Sequence, residues 1–327
     1  MIDRCYIEVT NVCNLNCDFC PKHRRQNRQL TIEEFDLLTD KIRGRVIFLY
    51  FHLMGEPLLH PLLPDFIRIA REKGFRTVLT SNGTLLDKAL NLMSSLPHKV
   101  QLSLHSHESN GKGKLDEYIN KVMQFAIPAA EQGTCVVLRL WNQGGRESEN
   151  EQVMQLLEQY VKKPWRERPD GYRLCENLYL EFDRKFQWPT TQEPPSSSPE
   201  GEGLLDSIDS LNDVFEQKEV TKNSSLGGSP MLITSEYVPK RGAEVFCKAL
   251  HKQIGVLADG SLVPCCMDHN GDIILGNLFT QSLDEILNSP RAKAMIEGFR
   301  HHKATELLCQ NCESGNVRNS FRGKPKS

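Results

Sequence analysis

Residues 13–20 read Cys-Asn-Leu-Asn-Cys-Asp-Phe-Cys and place three thiols, Cys13, Cys17 and Cys20, within one short loop. The loop follows an apolar run at Cys5–Thr10 that predicts the first strand. Three cysteines are one ligand short of the four that a structural zinc or a cubane iron–sulfur cluster takes. The spacing therefore indicates an iron–sulfur site in which one iron keeps an open coordination position.

The alternative interpretation of the same cysteines is a partial zinc knuckle. In that case a neighbouring side chain such as His23 would supply the fourth ligand. Short cysteine motifs also occur by chance, so the triplet alone does not decide between iron and zinc.

The overall composition is that of a globular protein. Of 327 residues, 39% are hydrophobic and 25% are charged, and the net charge of -2 gives no basic surface for nucleic acid or an anionic membrane. The length suits one large domain with an appendage, or two ordinary domains. The longest apolar run, near Val46–Met54, is too short to span a bilayer, and strand-like sequence begins close to Met1. We expect a cytoplasmic protein that binds neither nucleic acid nor membrane.

Cysteine usage indicates metal rather than disulfides. The eleven cysteines are an odd number and no signal peptide is apparent, so reduced thiols are expected. Seven of them fall into two groups, and the other four stand apart. The groups are Cys13, Cys17 and Cys20 near the start, and Cys247, Cys265, Cys309 and Cys312 near the end.

Strand-like runs alternate with helical patterns over the first part of the chain, which predicts parallel strands joined by right-handed crossovers. Thr31 and Glu34 form a capping box before the first helix. Further helices are predicted at Leu85–Leu96, Leu115–Gln132 and Glu149–Val161. The six predicted strands are Cys5–Thr10, Val46–Met54, Phe75–Ser81, Lys99–His105, Thr134–Leu140 and Leu178–Asp183.

The pattern C-x3-C-x2-C, with the aromatic Phe19 before its last cysteine, resembles the signature of the radical SAM enzymes. The resemblance implies that the three thiolates hold a [4Fe-4S] cluster whose fourth iron chelates S-adenosylmethionine. It also implies an α/β fold with a partial (β/α)6 barrel of the TIM type and chemistry at the carboxyl ends of the strands. One electron, from reduced flavodoxin or ferredoxin, would split the sulfonium and yield a 5'-deoxyadenosyl radical.

The resemblance extends to residues that would contact the cofactor. Met54-Gly55-Glu56-Pro57 resembles the family's GGE-type motif, which binds the methionine amino group, although Met54 replaces its first glycine. The stretch Thr80–Thr84 resembles the family's T-N-G-T step near the methionine part of the cofactor, and Ser103 matches a cofactor-contacting serine. Arg139 is expected either to pair with the cofactor carboxylate or to form a structural ion pair. The predicted cofactor-binding residues are Phe19, Gly55, Glu56, Ser81, Asn82, Ser103 and Arg139.

The second cysteine group follows a hairpin pattern. Strand-like runs flank Asp259-Gly260, a tight-turn signal that would bring Cys265 back towards Cys247, and the pair Cys309 and Cys312 follows downstream. Ser282 and Glu285 predict a capping box for a helix that runs to about Phe299.

This layout resembles the SPASM and twitch modules that some radical SAM enzymes append to the barrel. A full SPASM module has further cysteines after the last pair, whereas this chain has Arg318 at the first such position. The resemblance therefore implies the shorter twitch-like form, a small α+β module with one auxiliary cluster on the second group, expected to be [4Fe-4S]. A structural zinc with four thiolates is the alternative, and Cys266 is an alternative ligand to Cys265.

Four segments are predicted along the chain. Residues 1–185 form the barrel, 186–244 an insertion or linker that is partly disordered, 245–315 the auxiliary module and 316–327 a flexible tail. Within the insertion, Leu204–Val220 has a pattern that suits an amphipathic helix.

The resulting prediction is a radical SAM enzyme that abstracts hydrogen from a small-molecule or peptide substrate. The reaction class is an oxidoreductase or a modifier of peptides or natural products. Glu8, Tyr50 and His52 lie on the inner faces of their strands and are candidates for substrate contact. The alternative function is a non-catalytic iron–sulfur or zinc protein for electron transfer.

Overall fold

The computed structural model describes residues 2–88, 90–110, 113–191 and 245–313, which belong to one compact unit. A mixed sheet runs through this unit and is flanked by helices. Its strands are β1 (Ile2–Ile7), β2 (Val46–Tyr50), β3 (Arg76–Ser81), β4 (Lys99–Ser103), β5 (Cys135–Gln143), β6 (Arg166–Arg168), β7 (Gly171–Cys175), β8 (Leu178–Arg184), β9 (Gln253–Val256), β10 (Ser261–Val263) and β11 (Gly276–Asn277). The helices are α1 (Ile32–Ile42), α2 (Leu63–Glu72), α3 (Leu115–Glu131), α4 (Asn150–Tyr160), α5 (Leu283–Leu287), α6 (Pro290–Arg300) and α7 (Leu307–Gln310).

Six parallel strands form the centre of the sheet, in the order β1, β2, β3, β4, β5 and β8. Their outer faces pack against the crossover helices, as where Phe35 of α1 stacks on Phe66 of α2 with ring centroids 4.4 Å apart. The residues that alternate with these along each strand line the inner face of the curved sheet. The prediction of a mostly parallel, unclosed barrel of six strands is confirmed.

Several local predictions are confirmed as well. Thr31 and Glu34 form the capping box of α1, and Ser282 and Glu285 form that of α5. The turn at Gly260 has a left-handed φ of 80° and joins the antiparallel strands β9 and β10.

Two predicted helices are interrupted. The pattern at Leu85–Leu96 is realised as short 3-10 turns at Leu86–Lys88 and Leu90–Ser94, where the Ser94 hydroxyl donates to a backbone carbonyl and competes with helical bonding. The predicted C-terminal helix divides into α5 and α6 at Pro290. Proline lacks the N–H needed to continue α5, but it fits the first position of α6.

Short strands extend the parallel sheet at both edges. On one side, β7 pairs with β8 and β6 pairs with β7. On the other side, β9 pairs in parallel with β1, so that Arg4 lies opposite Gln253, and β10 and β11 follow. The predicted C-terminal hairpin therefore continues the barrel sheet.

The Glu8 carboxylate joins this C-terminal hairpin to the barrel. The side chain is fully buried, and its two oxygens accept from the Arg25 guanidinium at 2.7 and 2.6 Å. The same oxygens accept from the backbone N–H groups of Met54 and Ala258, each at 3.2 Å. Arg25 also donates to the carbonyl of His269 at 3.0 Å. Glu8 was a candidate for substrate contact, but the structure uses its charge to hold the fold.

The predicted helix at Leu204–Val220 and the predicted tail at 316–327 lie outside the described residues. Within the described ranges, no helix combines the length and apolar character that crossing a bilayer requires.

We predict that Arg25→Met lowers stability markedly, because it leaves the buried Glu8 carboxylate without its cationic partner. Breaking a buried pair in this way costs about 3–5 kcal/mol, which for a chain of 327 residues corresponds to a fall in Tm of about 4–7 °C. Thermal unfolding followed by circular dichroism measures the shift. The matched control is Arg68→Met, which removes an exposed pair with Glu72 and should leave Tm nearly unchanged. Equal Tm values for the two variants would contradict the role given to Glu8.

Candidate active site

The cysteine loop lies beyond the carboxyl end of β1, as predicted. His23, the residue considered as a fourth zinc ligand, has Nδ1 3.1 Å from the carbonyl of Arg25 and Nε2 2.8 Å from the carbonyl of Asn11. Both ring nitrogens are thus engaged with the backbone of the loop. The structure gives His23 a part in shaping the loop, and a metal would have to displace one of these contacts.

Backbone and side-chain N–H groups point at the cysteine sulfurs. Asn110 Nδ2 lies 3.0 Å from the Cys17 sulfur, and the N–H of Leu15 lies 3.5 Å from that of Cys13. Burial raises the pKa of both thiols, and the hydrogen bonds act in the opposite direction. Donors around a sulfur favour its thiolate form, and thiolates are the ligands of iron–sulfur clusters. The loop therefore fits the group that the sequence predicts.

Gly55, at the end of β2, lies against the cysteine loop itself. Its φ is 78°, and a Cβ at this position would lie 2.3 Å from the carbonyl oxygen of Thr10. The next residue, Glu56, donates its N–H to the carbonyl of Val12 at 2.8 Å. The glycine is thus required by close approach of two backbone segments, in addition to any ligand contact.

The Glu56 carboxylate connects the ends of β2 and β3. It is 2% exposed and accepts from the N–H groups of Asn82 at 2.7 Å and Leu58 at 3.0 Å. Burial raises the pKa of Glu56 to about 6, while these donors and Ser81 lower it. An ammonium group would have to bind at the lone pairs that remain on the same oxygens.

Ser81 and Asn82, at the end of β3, lie beside Glu56 and the first cysteine. Asn82 Nδ2 donates to Asn14 Oδ1 at 3.0 Å and points at the Cys13 sulfur from 4.0 Å. The Ser81 hydroxyl accepts from the N–H of Gly83 at 3.0 Å. Residues from three separate loops thus meet at one corner of the barrel.

Ser103 and Arg139 lie opposite each other on β4 and β5. The guanidinium carbon of Arg139 lies 3.9 Å from the centroid of the Trp141 ring, and its Nε is buried without a hydrogen-bond partner. Burial lowers the pKa of Arg139 to about 10, and the charge of Glu181 acts against this. A buried donor without a partner costs free energy, so the orphaned Nε favours an anionic ligand.

A cleft opens beside Phe19, between the cysteine loop and the ends of β4, β5 and β8. The ring of His105 lies 5.1 Å from that of Phe19, and burial lowers the His105 pKa to about 4, so this imidazole is neutral at pH 7. Trp188 also lines the cleft, and its indole N–H is buried without a partner. The cleft therefore lies next to the cysteine loop.

The four C-terminal cysteines of the second group come from three separate segments. Burial raises the pKa of Cys247, Cys265 and Cys309, and the thiol of Cys312 raises each of them further. The adjacent Cys266 packs instead with Tyr6 on the inner face of the sheet. This placement favours Cys265 over Cys266 in the second group. Among the described residues, no three His, Cys, Asp or Glu side chains enclose a single metal ion.

Three residues at this site were not predicted from the sequence: Asn110, Trp141 and Trp188. None of them belongs to a recognisable motif. Asn110 reaches the cysteine loop only through the loop that follows β4, and the two tryptophans are placed by β5 and by the segment after β8. A single sequence holds no local signal for such contacts.

Comparison with known proteins identifies both parts of the chain. The radical SAM superfamily model matches residues 7–131, and the SPASM model, an iron–sulfur cluster-binding domain, matches residues 247–313. GTP 3',8-cyclase of Chlorobaculum tepidum is 38% identical over 96 residues, which are 28% of this chain and 29% of that protein. PqqA peptide cyclase of Streptomyces rochei is 36% identical over 104 residues, which are 30% of this chain and 28% of that protein. The matched segments span less than a third of either relative.

A solved structure shares the fold over nearly the whole chain. The crystal structure of Streptococcus suis SuiB bound to S-adenosylmethionine aligns with 99% of this chain and 75% of that chain, with a TM-score of 0.55 and 16% identity. The expected C-terminal iron–sulfur module is confirmed as a SPASM domain, whereas its reduction to a single cluster stays a prediction. The chain therefore contains a radical SAM domain and, after it in the sequence, a SPASM iron–sulfur cluster-binding domain.

Proposed function

We propose that this protein is an enzyme that cleaves S-adenosylmethionine reductively and abstracts hydrogen from a substrate. The observation that carries the proposal is the set of N–H donors aimed at the sulfurs of Cys13 and Cys17, beside the buried Glu56. Cys13, Cys17 and Cys20 would hold a [4Fe-4S] cluster. When bound, this cluster supplies the electron that splits the sulfonium.

The residues around the cysteine loop would orient the cofactor. Arg139 offers a buried, unsatisfied donor to the carboxylate of S-adenosylmethionine, and Ser103 lies opposite it. Glu56 offers negative charge to the ammonium group, and with its pKa raised to about 6 it is ionised at neutral pH. Gly55, Ser81 and Asn82 hold the adjacent loops in place, and Phe19 borders the cleft.

The cleft is the proposed substrate site, and a peptide is the proposed substrate class. Its walls include the rings of Trp141, Phe186 and Trp188, which suit apolar side chains. The buried Trp188 N–H has no partner and suits a carbonyl oxygen of a peptide backbone. Of the relatives, PqqA peptide cyclase is named for a peptide and GTP 3',8-cyclase for a nucleotide, so a small molecule is the alternative substrate.

We also propose that reduced flavodoxin or ferredoxin delivers the electron. Cys13 is exposed at the surface of the described structure, so a cluster on this loop lies within reach of a docked protein. All eleven cysteines are free thiols, which suits a reducing compartment such as the cytoplasm.

The alternative function for the two cysteine groups is electron transfer without catalysis. Such a protein has no use for an open cleft beside the first group or for the unsatisfied Trp188 donor that borders it. These features favour the enzyme.

The central prediction concerns Cys17→Ala, which removes one of three cluster ligands. We expect loss of about four irons per chain and loss of 5'-deoxyadenosine formation. The measurement is anaerobic incubation with dithionite and S-adenosylmethionine, followed by chromatography. The control is Cys175→Ala, since Cys175 is exposed and its thiol donates to the backbone carbonyl of Glu176. Unchanged 5'-deoxyadenosine yield in Cys17→Ala would refute the proposed function.

The cofactor assignment predicts that Arg139→Met weakens binding of S-adenosylmethionine. A hydrogen bond to a charged group contributes about 1.5–3 kcal/mol, so Kd should rise by roughly ten- to a hundredfold. Equilibrium dialysis of the cluster-loaded protein measures Kd. Arg168→Met is the control, because Arg168 is exposed and pairs with Asp170. If both variants bind like the wild type, Arg139 serves another purpose.

The auxiliary site predicts a different outcome for Cys309→Ala. We expect a loss of about four irons per chain and a lower Tm, because cluster binding also stabilises the small domain. Cleavage of S-adenosylmethionine should persist, since the first cluster is intact. Cys266→Ala is the matched control and should keep its iron, because this thiol faces Tyr6. Full iron content in Cys309→Ala would refute the proposed set of cluster ligands. Loss of iron in Cys266→Ala would show that Cys266, and not Cys265, is the ligand.

A further inference from the structure

Asn110 makes the shortest contact with any sulfur of the first cysteine group. It lies in the loop that follows β4, and its Nδ2 is 3.0 Å from the Cys17 sulfur. The same Nδ2 donates to the carbonyl of Ser106 at 2.6 Å, while its Oδ1 accepts from the N–H of Asn16 at 2.8 Å. One amide thus joins the two loops.

The orientation of this amide follows from its neighbours. The N–H of Asn16 can only donate, so it requires the Oδ1 of Asn110, and the carbonyl of Ser106 can only accept, so it requires the Nδ2. The amide cannot be turned over without losing both bonds. One N–H of the NH2 group serves Ser106, and the other faces Cys17.

The loop that carries Asn110 is itself held rigidly. The Ser106 hydroxyl donates to the carbonyl of Ser103 at 2.6 Å. His107 is 6% exposed, stacks on Tyr118 with centroids 5.1 Å apart, and contacts the Glu149 carboxylate at 2.8 Å. The amide therefore faces Cys17 in a fixed position rather than by chance side-chain rotation.

An N–H donor at a cluster thiolate stabilises the form with more negative charge. Adding an electron to the cluster increases that charge, so such a donor raises the reduction potential. By comparison, Asn82 Nδ2 is 4.0 Å from the Cys13 sulfur, and the Leu15 N–H is 3.5 Å from it.

We propose that Asn110 is a positioning residue that donates a hydrogen bond to the Cys17 thiolate and raises the reduction potential of the first cluster. The inference rests on the proposed function, because it requires Cys17 to be a cluster ligand. Its consequence is that the electron donor reduces this cluster more readily.

The test compares two variants of the full, cluster-loaded chain. Asn110→Ala removes the donor, and Asn110→Asp keeps an acceptor for Asn16 but turns a carboxylate oxygen towards the sulfur. We expect a more negative midpoint potential in both, with the larger shift in Asn110→Asp. A redox titration followed by electron paramagnetic resonance measures the potential, and the signal that changes on adding S-adenosylmethionine identifies the first cluster.

Two references accompany the titration. The potential of the auxiliary cluster should not move, and Asn120→Ala should match the wild type, since Asn120 lies on α3 and bonds only to the Tyr160 hydroxyl. Unchanged potentials in both Asn110 variants would overturn the proposal. Loss of the first cluster in both would overturn it too, because Asn110 would then be structural. Either result leaves the proposed function standing if the wild type forms 5'-deoxyadenosine.

Discussion

The bidentate pair between Glu8 and Arg25 is the interaction on which the arrangement of both cysteine groups depends. A fully buried carboxylate is stable only with charge and hydrogen bonds around it, and here every donor comes from a different segment. Arg25 fixes the end of the cysteine loop, Met54 the loop after β2, and Ala258 the hairpin of the SPASM domain. One charge on β1 thereby sets the relative position of the barrel, the cofactor loops and the auxiliary domain.

In the candidate active site, too, polar side chains connect the ends of separate loops. Glu56 joins β2 to β3, Asn82 joins β3 to the cysteine loop, and Asn110 joins the loop after β4 to Cys17. Once these bonds are made, the indole N–H of Trp188 is still buried without a partner beside the cleft, and so is the Nε of Arg139 on β5. A ligand gains the most binding free energy where it satisfies polar groups that the fold leaves without partners next to a cleft.

Local signals in the sequence were enough to predict the parallel strands, the capping boxes and the cysteine pattern, because each of these depends on residues that are neighbours in the sequence. The division at Pro290 was equally local and was overlooked. Other features depend on pairs far apart in the chain. The hydrogen bonds of Glu8 span up to 250 positions, and Asn110 lies 93 positions from Cys17. The pairing of β9 with β1 likewise joins residues that lie far apart in the chain. The helical periodicity at Leu85–Leu96 gave a wrong prediction because the Ser94 hydroxyl binds the carbonyl of Asn91 and competes with helical bonding there.

The pairing of β9 with β1 also has a consequence for biosynthesis. During translation β1 emerges first and gains β2 as a neighbour early, but its other edge has no partner until residues 253–256 have left the ribosome. Over that interval the edge exposes unpaired N–H and C=O groups, which are a template for pairing with another chain. Contacts that close so large a stretch of sequence also form slowly. The free edge of β1 therefore stays open to pairing with another chain until the hairpin of the SPASM domain has been synthesised.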